Sequence, residues 1–150
     1  METRTVVRTS ILPASKAAVF ERLRLLSTLQ QLAAPFASFT PLGGDRGLTW
    51  KAGSCYAFAL KLFGVIPFGT HRIHVLRFGL DEGICTHEGN EHIPIWNHEI
   101  ILRELDANCC EYTDRVEVGA GWKTLSVYWW AKLFYAHRQR KWISMLEAQR

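Results

Sequence analysis

The sequence has no run of about 18 apolar residues, so it carries no candidate membrane-spanning helix. It has four cysteines, Cys55, Cys85, Cys109 and Cys110, and no CxxC pair. Cys109 and Cys110 are adjacent and point to opposite faces of any strand they occupy, which argues against both a zinc cage and a disulfide framework. Phosphate-binding glycine motifs, GxSxG and HExxH are all missing, and with them the signatures of the common nucleotide-binding, serine-hydrolase and zinc-protease chemistries. The opening METRTVVRTS alternates and carries charge, unlike a secretory leader. The expectation is a cytoplasmic protein that uses neither a metal nor another cofactor. A net charge of +4 is mild, and much of it gathers in HRQRK, residues 137 to 141. Cations near a helix C-terminus are favoured by its dipole, so this cluster is expected to be solvated and gives no reason to expect a nucleic-acid partner.

What is present is a chain of 150 residues with 48% hydrophobic and 21% charged side chains, as expected for one soluble globular domain over 1–150. Six Trp and eight Phe must fill an interior or line one. Residues 3 to 12 alternate, with Thr5, Val7, Thr9 and Ile11 on one side of a strand. Pro13 breaks it, Ser15 can cap a helix through KAAVFERLRLL, and Ser27 can cap a second short helix that ends before Pro35. FTPLGGDRG is turn-rich, with one short strand near Phe39.

From residue 54 the period becomes two, and Tyr56, Phe58, Leu60 and Leu62 share a face. Further strands are expected over 70–80, 84–91, 95–105 and 109–118, separated at hairpin distances. From about Lys123 the pattern is helical for some 25 residues without Pro or Gly. The fold class is therefore α+β: an antiparallel sheet of about seven strands, two short helices after the first strand, and a long C-terminal helix as the only element able to cover the sheet. Such a sheet, strongly twisted around one helix, can leave a cavity at its centre.

Several stretches carry a family resemblance: ILPASKAAVFERL at the first strand-to-helix junction, WNHEI in a late strand, and YTDRVEVGAG leading to FYAHRQRKW in the last helix. With the element order, these resemble the helix-grip fold of the START-like, or Bet v 1-like, superfamily, which includes polyketide cyclases and lipid-transfer domains. The resemblance covers nearly the whole chain. It implies an apolar cavity between sheet and helix and names no ligand.

The strand HIPIWNHEII places Trp96, His98 and Ile100 on one face. On CCEYTDRVEVG the even positions Cys110, Tyr112, Asp114, Val116 and Val118 form the apolar side, while Glu111, Thr113, Arg115 and Glu117 are polar. A hairpin loop of Asp106 to Asn108 would pair Leu105 with Cys109 and set His98 opposite Val116 and Asp114 opposite Ile100. His98 and Asp114 then lie on one diagonal, at roughly 7 Å between Cβ atoms. A buried His–Asp pair is a structural feature first, since each group satisfies the other. It is also a pocket polar group, or an acid–base pair.

On the last helix Tyr128, Ala131, Tyr135, Trp142 and Leu146 form a stripe for the sheet. Leu125, Trp129, Leu133, Ala136 and Ile143 form a second, available to the short helices or to a second copy of the chain. FGVIPFG puts Val65, Ile66 and Phe68 at a hairpin tip, either folded over the barrel end or available for transient membrane contact. The functional expectation is binding of a small hydrophobic molecule, whether lipid, polyketide or aromatic compound, by Trp96, His98, Tyr112, Asp114, Tyr56, Phe58, Tyr128 and Tyr135. One alternative is a cyclase or dehydratase using His98 and Asp114. The other is a non-catalytic interaction module with a filled core.

Overall fold

The computed structural model describes residues 2–43 and 49–149. Part of the turn-rich stretch, residues 44–48, therefore lies outside the described residues. The chain runs β1 (Arg4–Leu12), α1 (Lys16–Leu23), α2 (Leu26–Ala33), β2 (Ala37–Pro41), β3 (Cys55–Leu62), β4 (Ile66–Gly79), β5 (Gly83–Gly89), β6 (Ile95–Asp106), β7 (Cys109–Gly119) and α3 (Thr124–Glu147), with one tight helical turn at Gly121–Lys123 before α3. The strands form one antiparallel sheet of seven, in the order β1-β7-β6-β5-β4-β3-β2. This is the helix-grip arrangement: the sheet curves around α3, and α1 and α2 close one end. No helix among the described residues is long and apolar enough to cross a membrane.

Local chemistry accounts for most boundaries. The Ser15 hydroxyl accepts from the Ala18 amide at 3.1 Å and starts α1. Ser27 does not cap α2. That helix starts at Leu26, with Leu25 in the cap position and no side-chain bond there. β4 begins at Ile66, earlier than the alternation predicts, because Phe63 and Gly64 take positive φ (54° and 74°) and turn the chain sharply. Pro67 lacks an amide donor and is accommodated beside a register shift between Ala59 and Lys61.

In β1 the face bearing Thr5, Val7, Thr9 and Ile11 is the outer one. Val6 and Leu12, of the other parity, are buried.

The β6–β7 hairpin sets the register of the interior. His98 pairs with Val116 and Ile100 with Asp114, as the parity argument requires. The turn differs from the expected one: Asp106, not Leu105, pairs with Cys109, and Leu105 is the extra residue of a bulge. The bulge absorbs the mismatch, so every pair from Glu104↔Cys110 inward keeps its partner.

Along α3, Ala131, Phe134, Tyr135, Arg138, Gln139, Trp142 and Leu146 are buried. Tyr128 is only half-buried. The basic run HRQRK is not a solvated patch. At 100° per residue Arg138 and Gln139 fall on the same inward stripe as Tyr135 and Trp142, and both are buried. His137 and Lys141 bond the carbonyl of Ala34, at 2.7 and 3.1 Å, and so satisfy the end of α2. Arg140 alone of the five is exposed. In the second stripe Leu125, Trp129 and Leu133 face solvent and do not meet the short helices, while Ala136 and Ile143 are partly covered.

Candidate functional site

The interior is not filled. A cavity of about 490 Å³ lies between the concave face of the sheet and α3. The helix contributes Val127, Trp130, Phe134 and Arg138 at spacings of three and four, one face of a helix. Leu60, Leu62, Phe68, Ile73 and Val75 supply the opposite wall from β3 and β4. Trp122, on the turn before α3, lines the cavity while being 90% exposed, so the cavity opens at that end.

One wall is polar. His71, Thr86, Glu88 and His98 line the cavity from the adjacent strands β4, β5 and β6, because the pleat turns each of them to the concave face. His71 Nε2 lies 2.7 Å from Glu88 Oε1, and the Thr86 hydroxyl donates to Glu88 Oε2 at 2.5 Å. The other oxygen contact of Glu88, to His98 Nδ1, is 3.9 Å. His98 Nε2 lies 2.7 Å from Asp114 Oδ1.

Asp114 is completely buried and fully used. Tyr112 donates to Oδ1 at 3.1 Å and the Gln139 amide donates to Oδ2 at 3.1 Å. Gln139 also donates to the Arg8 carbonyl and accepts from the Ser10 hydroxyl at 2.6 Å. Contacts thus run from β4 across the sheet, with one long step between Glu88 and His98, to the edge strand β1.

Burial alone would push the carboxyls of Glu88 and Asp114 up. The bonds from His71 and His98, with the charge of those imidazoles and further donors, outweigh it, and both carboxyls lie below their ordinary range. Burial drives the phenols of Tyr112 and Tyr135 well above theirs, so both stay protonated. The Tyr135 oxygen accepts from the Trp96 indole at 3.1 Å. With Asp114 ionised, Nε2 of His98 carries a proton, and in the neutral ring Nδ1 holds the lone pair. Cys110, in the closed part of the core, is pushed up to about 11 chiefly by burial, so it offers no thiolate at neutral pH.

Of the eight side chains singled out from sequence, Trp96, His98 and Tyr135 line the cavity. Tyr112 and Asp114 stand directly behind His98, as a supporting layer. Tyr56, Phe58 and Tyr128 are elsewhere. The Tyr56 hydroxyl bonds the backbone of Thr49 and Lys51. Phe58 packs with Leu26, Ile73 and Val75. Tyr128 sits under Arg4 of β1 and Lys132, outside the cavity lining. At the β3–β4 tip Phe68 turns inward to the cavity, while Val65 and Ile66 face solvent.

His71, Thr86, Glu88, Arg138 and Gln139 were not singled out from sequence. Their signal was parity on β5 (Ile84, Thr86, Glu88) and helical spacing from Tyr135 for Arg138.

Residues 10–145 match the family described as Domain of unknown function (DUF8410). The chain belongs to that family. Among curated proteins none matches it in sequence. Solved structures resemble this DUF8410 chain in fold over almost its whole length. A START superfamily protein from Mycobacterium smegmatis is 13% identical, with a TM-score of 0.75 over 97% of this chain and 99% of that one. The Zhui aromatase/cyclase from Streptomyces sp. R1128 is 11% identical, with a TM-score of 0.73 over 97% and 94%. Norcoclaurine synthase from Thalictrum flavum, solved with dopamine and hydroxybenzaldehyde, is 8% identical, with a TM-score of 0.67 over 99% and 89%. The DUF8410 chain therefore has the START-like, Bet v 1-like fold.

Proposed function

We propose that the protein binds a small hydrophobic molecule in the cavity between α3 and the sheet. The observation that carries this reading is the cavity itself: about 490 Å³, apolar on most sides, with polar groups gathered on one wall. Pockets for small molecules fall in the range of about 300–1,000 Å³, with few polar groups to set orientation. Apolar burial supplies affinity, at about 25 cal/mol per Å² removed from water. His98, held by Asp114, and Tyr135, held by Trp96, set orientation through hydrogen bonds.

Freshly purified protein examined by native mass spectrometry, followed by organic extraction, tests this reading. A mass increment that organic solvent releases as an apolar compound is the expected result. Protein that carries nothing, and does not bind an apolar fluorescent probe, would sink it.

A second reading is favoured by one specific contact, the 2.7 Å bond between His98 Nε2 and Asp114 Oδ1. When the imidazole is neutral, that bond leaves Nδ1 as its basic nitrogen at the cavity wall, the arrangement a general base needs in a cyclase or dehydratase. Among the fold relatives, the Zhui protein is an aromatase/cyclase, and that activity belongs to that protein. Here it is separated from simple binding by His98→Gln. Catalysis requires that turnover vanish while affinity for the bound compound changes little. Equal loss of binding makes His98 a binding group only.

A further inference from the structure

Arg138 sits on the inward face of α3 with 4% of its surface exposed, and it lines the cavity. A guanidinium has five N–H donors and no acceptor, and is permanently charged. Here it makes no hydrogen bond and no ion pair with any described residue, and its Nε is fully buried without a partner. The two carboxylates in the same interior are occupied by other donors. Glu88 is held by His71 and Thr86, and Asp114 by His98, Tyr112 and Gln139. Tyr135 and Phe134 lie 5.0 and 5.8 Å from the guanidinium carbon by ring centroid. Such cation–π contacts cover the face of the guanidinium and leave the donors in its plane unused.

A buried charged donor without acceptors is expensive, and in folded proteins it implies a missing partner. The partner that fits a planar fork is a planar anion with two oxygens, bonded bidentately. Away from the polar wall of His71, Thr86, Glu88 and His98, most of the lining is aliphatic and aromatic, from Leu60 and Ile73 on the sheet to Trp130 and Phe134 on α3.

We propose that the bound molecule is an apolar acid, and that Arg138 receives its carboxylate inside the cavity. The inference rests on the cavity-binding reading above and adds the chemical class of the ligand. It assigns Arg138 the role of anchor: apolar walls hold the body of the molecule, and the guanidinium selects its head group. Glu88 and Asp114 share the compartment, so the selection comes from unused donors rather than from an excess of positive charge. Among the described residues of the lining, Lys123 stands near the open end and donates to the His92 carbonyl at 2.9 Å.

The test compares decanoate, methyl decanoate and decanol by titration calorimetry at neutral pH, on the wild-type protein and on Arg138→Gln, Arg138→Lys and Lys123→Gln. The wild type is expected to prefer decanoate over both neutral compounds by about ten- to a hundredfold, the range for a hydrogen-bonded charge. Arg138→Gln removes that preference, with decanoate affinity falling to the level of the two neutral compounds. Arg138→Lys keeps part of the preference, because charge survives and the fork does not.

Equal wild-type affinities for all three compounds overturn the inference and leave the cavity reading standing. Preference lost in Lys123→Gln and retained in Arg138→Gln also overturns it. If none of the three binds, both readings fall together. The wild-type comparison decides the matter even if Arg138→Gln does not fold.

Discussion

Trp142 and Trp130 belong to the same helix and have opposite surroundings. Trp142 is completely buried, with its ring centroid 5.7 Å from that of Tyr112, in a cluster built from Leu12, Val19, Leu23, Leu32 and Leu146. Trp130 is half-buried, stacks on Phe134 at 4.8 Å and turns toward empty space. Two segments make the difference. At the C-terminal half of α3 the helix α2 and the strands β1 and β7 close on it from several sides, with Val19 and Leu23 of α1 completing the cluster. At the N-terminal half Val6, Val116 and Val118 still pack on the Ala131 side, but Val127, Trp130 and Phe134 on the next face line a space instead of filling one. Close packing and an open interior are thus divided along one helix, the first holding the frame and the second free to accept a guest.

The division predicts separable effects of mutation. Trp142→Ala is expected to cost about 3–5 kcal/mol of stability in urea denaturation, since neighbours close-packed around a large ring do not collapse into its place. Trp130→Ala, with half its surroundings empty already, should cost less than about 1 kcal/mol while weakening an apolar probe. Equal destabilisation by the two would erase the distinction between the halves.

Asp114→Asn comes next, at about 1–3 kcal/mol, because donors arranged around two carboxylate oxygens then meet an amide that offers one. The same variant carries a pH signature. Glu88 and Asp114 are depressed in the folded state, so their contribution is complete above the unfolded carboxylate values, about 3.9 for Asp and about 4.3 for Glu, and is lost as pH falls through the folded ones. Wild-type stability should therefore decline on acidification below about pH 4. Asp114→Asn should show a shallower decline there, and an unchanged slope would remove Asp114 from the account. The smallest effect belongs to the outer stripe. Leu133→Lys, at a side chain 67% exposed, should stay within about 0.5 kcal/mol by the same denaturation measurement. A larger loss, or a change in sedimentation, would mean that this face is covered in solution.

Much of this was legible in the residues because β-strand parity is a strict rule. Alternation in 95–105 and 109–118, with the requirement that two apolar faces meet, placed His98 beside Asp114 before any coordinates. Tyr56 and Phe58 share the correct face of β3, but parity does not tell whether a neighbour fills the space in front of them. Leu26 packs with Phe58, and the backbone of Lys51 takes the Tyr56 hydroxyl. Tyr128 failed for a related reason: a helical stripe shows which face meets the sheet but not where along the helix the cavity lies, and Tyr128 meets Arg4 of β1 instead. Arg138 and Gln139 were hidden by composition. A basic pentapeptide near a helix end reads as solvated unless each residue is placed on the helical wheel, where these two fall in line with Tyr135 and Trp142.

The bulge at Leu105 has an evolutionary consequence. Deleting that residue would join Glu104 to Asp106 and convert the end of the hairpin to a regular ladder, without disturbing any partner deeper in the barrel. Deleting one residue between Ile100 and Arg103 would instead carry the parity change through the strand, moving Asn97 into the place of the imidazole and turning the imidazole outward. Length variation among related chains should therefore accumulate at the tip of this hairpin and be excluded from its middle.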